Sequence, residues 1–220
     1  MKGQVSSGAR GLILERICDI LGNRPGTAAA EYELIAREYQ QSATLEEEER
    51  IAVFVERVQH YQVDVYRCER ATLPRTISEV LAGRNKSRLM VPSDLPREWL
   101  PPDLPVLDDE ALGCAELDRS EGVLTGCSLA IASTGTIVLR HQHAEGRRAL
   151  TLVPDYHLCV VSHDQIVQTV PEAIRLLARW KPKLVTTISG PSATADIEMT
   201  RVRGVHGPRI LDVIVLGVGG

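Results

Sequence analysis

Apolar positions along the first sixty residues recur at the three-to-four spacing of helices. Ile13, Ile17, Ile20 and Leu21 predict an amphipathic helix over residues 10–22, ended by Gly22-Asn23 and Pro25. Tyr32, Ile35 and Tyr39 share a face and predict a second helix from Glu31 to Gln41. A third is signalled by Thr44 with Glu47 as a capping box, acids in the first turn, and the stripe Ile51, Phe54, Val55, Val58. The Glu46–Glu49 run therefore reads as complement to the helix dipole on a solvated face, not as a metal site.

From Val63 onward short apolar runs alternate with helical patterns. Val63–Tyr66 predicts a strand. Thr76 with Glu79 predicts a capping box opening a helix with Ile77, Val80 and Leu81 inward and Gly83 at its end. Arg88–Val91 is a second short strand, and the prolines Pro92, Pro96, Pro101, Pro102 and Pro105 make residues 92–105 an irregular connection. Val106-Leu107 predicts a strand, with Asp108 or Asp109 capping a short helix after it. Gly122–Arg140 reads as two apolar strands joined at Ser133-Thr134-Gly135, with a small-residue break at Thr125-Gly126. Leu158–Val161 is a continuous apolar run, as in a buried strand. Pro171 starts a helix with Val170, Ala173, Ile174, Leu177 and Trp180 in register, and Leu184–Ile188 and Ile210–Leu216 are the last strands. Gly217–Gly220 is expected to be a tail.

This order predicts an α/β fold: a mixed, mostly parallel sheet flanked by helices. The expected division is an N-terminal helical segment, residues 1–62, packed on a main α/β domain, residues 63–220. A length of 220 residues suits that arrangement. Phe occurs once, so the core must be built from Leu, Ile, Val and Ala. A net charge of −4 without any basic tract argues against a nucleic-acid partner. The chain has no run of about 18 apolar residues and no apolar signal region, so neither membrane insertion nor secretion is expected, and the predicted location is cytoplasmic. Cys18, Cys68, Cys114, Cys127 and Cys159 are scattered with no C-x-x-C pair. That distribution suits reduced thiols and argues against an iron–sulfur cluster or structural zinc held by this chain alone, so no cofactor is expected.

Candidate chemistry concentrates where strands end. Thr125-Gly126, Ser133-Thr134-Gly135-Thr136 and Ser189-Gly190-Pro191-Ser192 are small-residue clusters, ordinary turn formers that also let backbone N–H groups and hydroxyls approach a phosphate or carboxylate. None matches a G-x-G-x-x-G or Walker A loop. The stretch Thr186–Gly207 adds Thr194, Asp196, Glu198 and His206 to the last cluster. His206, between Gly204 and Gly207, is the strongest candidate for acid–base work, with Asp196 to orient its ring; a turn-capping histidine is the structural alternative. His141 and His143 have the i, i+2 spacing that puts two ligands on one strand face, but no third ligand is evident and no metal is predicted. Cys127 and Cys159 lie in apolar runs, as core thiols do.

Taken in order, Thr125-Gly126, Ser133–Thr136, Leu152–Val161, the run Ile188–Glu198 and Gly204–Pro208 resemble the LUD-domain family, over roughly Val63 to Leu216. The resemblance implies a NagB/RpiA/CoA-transferase-like fold. It also implies a part in oxidising L-lactate to pyruvate beside two partner proteins, at least one of which carries iron–sulfur clusters. Thr134, Gly135, Thr136, Ser189, Gly190, Ser192 and Thr194 would then surround a small organic anion, with His206 and Asp196 as catalytic candidates. Two departures stand out: Ser133 where an acidic residue is expected, and Ala193 where a larger polar residue is common. The alternative is a stand-alone isomerase or CoA-transferase-type enzyme on the same scaffold, with His206 or a glutamate, Glu121 or Glu198, as its catalytic group.

Overall fold

The structure is a computed structural model and describes residues 8–21, 27–36, 38–109, 113–194, 202–203 and 207–217. The chain divides into two compact units, Met1–Tyr39 and Gln40–Gly220. The first contains helices α1 (Ala9–Leu21) and α2 (Thr27–Glu33). α2 is shorter and earlier than the Tyr32-Ile35-Tyr39 pattern predicts. Its alanines favour the helix, and beyond Glu33 the side chains of Leu34, Ile35 and Tyr39 are exposed, so their burial does not reward extending it.

The second unit opens with α3 (Glu47–His60), whose first turn carries Glu47, Glu48 and Glu49 as the dipole argument requires. Ile51, Phe54 and Val58 are buried, with Val55 at the margin. The expected Thr44–Glu47 box is not formed. Glu46 occupies the N-cap without a side-chain bond, because Gln168 takes Thr44 instead: its Oε1 accepts the Thr44 N–H at 2.7 Å and its Nε2 donates to the Thr44 hydroxyl at 3.2 Å. β1 (Asp64–Cys68) follows, then α4 (Leu73–Gly83), with Ile77, Val80 and Leu81 buried as predicted. α4 begins three residues before Thr76, so that hydroxyl donates to the Thr72 carbonyl and Glu79 pairs with Arg75. Capping at Thr76 is thereby overturned.

β2 (Leu89–Val91), β3 (Val106–Asp108), α5 (Cys114–Asp118) and β4 (Val123–Thr125) come next. Gly113, not Asp108 or Asp109, caps α5, with its N–H on the Glu116 carboxylate. After Thr125 the chain leaves the main sheet. β5 (Leu129–Ile131) and β6 (Thr136–Leu139) form the expected antiparallel hairpin, so the Gly122–Arg140 block holds three strands in two sheets, not two strands in one. β7 (Tyr156–Ser162), β8 (Ile166–Val167), α6 (Val170–Trp180), β9 (Thr186–Ile188), β10 (Ala193–Thr194), β11 (Val202–Arg203) and β12 (Ile210–Leu216) complete the order.

The main sheet runs β1-β12-β7-β4-β2-β3 with every pairing parallel. A four-stranded sheet, β8-β5-β6-β9, mixes both senses, and β10-β11 is a separate antiparallel ribbon. Side chains alternate across β7 and β12. Leu158, Val160, Ile214 and Leu216 pack with α4, whereas Cys159, Val161, Val213 and Val215 pack with α3 and the smaller sheet. Both faces are thus covered, which is why these strands read as unbroken apolar runs. α6 is capped by a Thr169–Glu172 box and packs Ala173, Leu176 and Leu177 on the smaller sheet. Its predicted stripe is only partly inward: Val170 and Ile174 are exposed, and Trp180 stacks under the Arg140 guanidinium at 4.0 Å.

One buried charge ties the sheet together. Asp212 is fully buried, accepts Arg84 at 2.5 and 2.8 Å and the Tyr156 hydroxyl at 3.0 Å, and Arg84 reaches on to Asp64 at 2.6 Å. The bidentate geometry supplies the hydrogen bonds a buried carboxylate needs.

Candidate functional site

Where β9 of the smaller sheet meets the amino ends of β7 and β12, a cavity of about 270 Å³ opens. Its walls are the run Thr186–Ala193, Thr151-Leu152, His157, Gly207-Pro208 and Leu211. The Ser-Gly-Pro-Ser cluster is therefore a wall of a real cavity, and the cavity lies between two sheets rather than beyond the carboxyl edge of one. The Ser192 N–H donates to the Pro208 carbonyl at 2.9 Å, closing the base of the β10-β11 ribbon.

The C-terminal end of α3 sets two of the loops. Gly190 has φ +85°, and a Cβ there would sit 2.5 Å from the Tyr61 Cβ; Gly135 has φ +60°, and a Cβ there would sit 2.8 Å from the Arg57 carbonyl carbon. Only glycine fits either position. The Tyr61 hydroxyl donates to the Thr134 carbonyl at 3.2 Å. Thr134, Gly135 and Thr136 are not cavity walls. They stand behind it, in a hydroxyl chain running from Thr134 to Thr136 at 2.7 Å and from Thr136 to Ser189 at 2.8 Å. Ser189, Gly190 and Ser192 do line the cavity. Thr194 contributes backbone to β10; Asp196, Glu198 and His206 lie outside the described residues.

His157 is the wall residue that sequence reasoning passed over. It is 1% exposed, and its Nε2 lies 2.8 Å from the Thr125 hydroxyl. Burial lowers its pKa to about 4, so the ring is neutral at pH 7 and acts as a fixed hydrogen-bonding group, not a proton store. Among the described wall residues it is the one titratable side chain. An imidazole inside the apolar run Tyr156–Val161 was the signal that marked it.

The other candidates fall elsewhere. His141 and His143 lie in a turn after β6, not on a strand. The carbonyl of Gly146 can only accept, so the His141 Nδ1 donates to it at 3.2 Å, and the Nε2 lies 2.8 Å from the Thr186 hydroxyl. His143 is exposed beside Asp94. Glu121 is committed to the start of β2, accepting the Ser87 N–H at 2.6 Å, the Ser87 hydroxyl at 3.0 Å and the Arg88 N–H at 3.3 Å; the Ser87 N–H above all holds its carboxyl below the usual carboxylate range. Ser133 is exposed. Cys127 and Cys159 are buried, and contact with Cys159 together with burial pushes the Cys127 thiol up, away from nucleophilic chemistry.

Residues 114–216 match the LUD domain. Over 182 residues the chain is 47% identical to the "Lactate utilization protein C" of Deinococcus radiodurans, covering 81% of this chain and 85% of that one. The chain belongs to the LUD-domain family. The crystal structure of a DUF162 family protein from Deinococcus radiodurans superposes with a TM-score of 0.69 at 43% identity, over 80% of this chain and 100% of that one. A more distant relative, the "Lactate utilization protein C" of Shouchella clausii, is 33% identical over 90 residues, 39% of each chain. The LUD match spans α5 to β12, and so includes every described wall of the cavity.

Proposed function

We propose that this LUD-domain chain serves lactate utilisation as a ligand-binding, accessory subunit that works with iron–sulfur partner proteins and holds a small organic anion in the cavity between its sheets. The observation that carries this reading is the 47% identity over most of a protein named for lactate utilisation. The cavity supports it further: hydroxyls of Thr151, Thr186, Thr187, Ser189 and Ser192 and a neutral His157 offer polar groups around a volume of about 270 Å³, ample for a short organic acid. The cysteines are dispersed, two of them in the packed core, which suits clusters carried by other chains.

The alternative, CoA transfer or isomerisation by this chain, needs a catalytic group at the cavity: a glutamate for CoA transfer, His206 or a glutamate for isomerisation. Glu121 is engaged by Ser87 and Arg88 and is not among the described walls, so it does not supply that group; Glu198 and His206 lie outside the described residues. Oxidation of lactate to pyruvate releases two electrons and two protons, so an acceptor must be within reach of the substrate. Affinity purification of the tagged chain from lactate-grown cells is expected to bring down an iron–sulfur protein. If the isolated chain oxidised lactate with an artificial acceptor, the accessory assignment would fail. His206→Ala is expected to abolish lactate-dependent growth while leaving thermal melting unchanged; normal growth would make that histidine structural.

A further inference from the structure

The carboxyl edge of the main sheet carries a second, larger cavity that the proposed function leaves unused. Strand order reverses between β2 and β4: the chain leaves β2 outward to β3, but leaves β4 in the other direction, to β7 and β12. In open parallel sheets such a reversal leaves a crevice beyond the carboxyl ends of the two strands, because their connections depart to opposite sides. A cavity of about 680 Å³ opens there, between Pro92-Ser93-Asp94 after β2, Asp109 after β3, and the loop from His141 to Arg147.

That loop is fastened on three sides. Glu145, 1% exposed, accepts the Arg140 N–H at 2.7 Å, the Gln142 N–H at 3.1 Å and the Ser128 hydroxyl. The Ala144 carbonyl accepts the Gly126 N–H at 2.8 Å, tying the loop to the end of β4. The Ala144 N–H donates to Asp94 Oδ1 at 3.0 Å, tying it to the end of β2. His141 and Ala144 are held at φ +56° and +59°, a region that side chains avoid unless the surroundings impose it.

The polar groups of the cavity select a ligand class. Arg147 is folded onto Asp109 through contacts of 2.8 to 3.0 Å, and the Asp109 side chain is 3% exposed, so these two charges cancel. Asp94, half exposed, adds a second carboxylate to the lining, its Oδ2 3.5 Å from the His143 Nδ1, and an acidic lining disfavours an anion. A carboxylate is acceptor-only, and its two oxygens match two adjacent O–H groups. Acidic side chains at strand carboxyl ends hold ribose hydroxyls in this way. Ser93, Gln142 and His143 flank Asp94 with a hydroxyl, an amide and an imidazole. We propose that this cavity binds the vicinal diol of an uncharged sugar, with Asp94 accepting both hydroxyls.

Ligand-observed NMR titration of the full chain tests this, with methyl β-D-ribofuranoside as probe and its 2-deoxy analogue as control. The ribofuranoside is expected to saturate, and loss of either the 2-hydroxyl or the Asp94 charge, in Asp94→Asn, is expected to weaken binding about tenfold or more. Asn at 94 keeps an acceptor for the Ala144 N–H. Gln142→Ala, at an exposed position, is expected to weaken binding severalfold without touching the fold. Ser189→Ala, in the other cavity, is expected to leave it unchanged. Equal binding of the deoxy analogue, undiminished binding to Asp94→Asn, or no saturation of the wild-type chain would overturn the proposal. So would propionate or calcium ions displacing the probe with mutual exclusion that Asp94→Asn abolishes.

Discussion

Acidification from about pH 7.5 to about pH 5 is expected to destabilise the second unit through His157. The ring is buried and neutral in the fold, with a pKa lowered from 6.5 to about 4. In the unfolded chain it takes up a proton below its ordinary value, while in the fold it stays neutral until the pH approaches the lower one. Its favourable contribution is therefore complete above the unfolded pKa and is lost progressively as pH falls towards the folded one. By linkage the loss by pH 5 is about 2 kcal/mol. For an unfolding slope of about 2 kcal/mol per molar of urea, that moves the midpoint by roughly 1 M. The assay is urea unfolding at both pH values for the wild type and for His157→Gln, which can still bond the Thr125 hydroxyl but does not titrate. The variant is expected to lose most of the dependence across this window, whatever its own stability at neutral pH. Parallel slopes in the two proteins, or an imidazole signal of His157 titrating near its ordinary value, would refute the reasoning.

Other perturbations follow from the same geometry. Gly190→Ala should destabilise by about 1–3 kcal/mol, because its new methyl meets the Tyr61 side chain at a left-handed backbone position; chemical denaturation reads this, and a neutral result would mean that the loop is not clamped by α3. Arg84→Met leaves the fully buried Asp212 without its cation and should cost about 3–5 kcal/mol, with Asp212→Asn in the same background recovering part of it. Thr169→Ala removes the α6 capping box and should lower stability by about 1 kcal/mol in the same assay.

The main sheet was legible because its physics is local. Leu158–Val161 and Ile210–Leu216 are buried on both faces, and that leaves unbroken apolar runs. The stripes of α3 and α4 were legible for the same reason, since their buried faces recur with the helical period. Capping was less so. Thr44 and Thr76 have the right spacing, but Gln168 from more than a hundred residues away takes the first, and the earlier start of α4 places the second inside the helix. A true box at Thr169–Glu172 went unread beside the stronger signal of Pro171. The second sheet was invisible because the break at Thr125-Gly126 marks a departure without naming a destination. The three small-residue clusters were found, but only the Ser189–Ser192 cluster lines the cavity; Thr134 and Thr136 reach it through hydroxyl contacts, and His157 was hidden in an apolar run.

The most direct measurement of the central claim fills the cavity and asks whether lactate utilisation survives. Thr187 lies on β9 as an exposed wall of the cavity, and a strand accepts an aromatic side chain there. In cells that depend on this chain, Thr187→Trp is expected to abolish growth on lactate, with the purified variant melting within a few degrees of the wild type. Undiminished growth on lactate with the cavity filled would contradict the account.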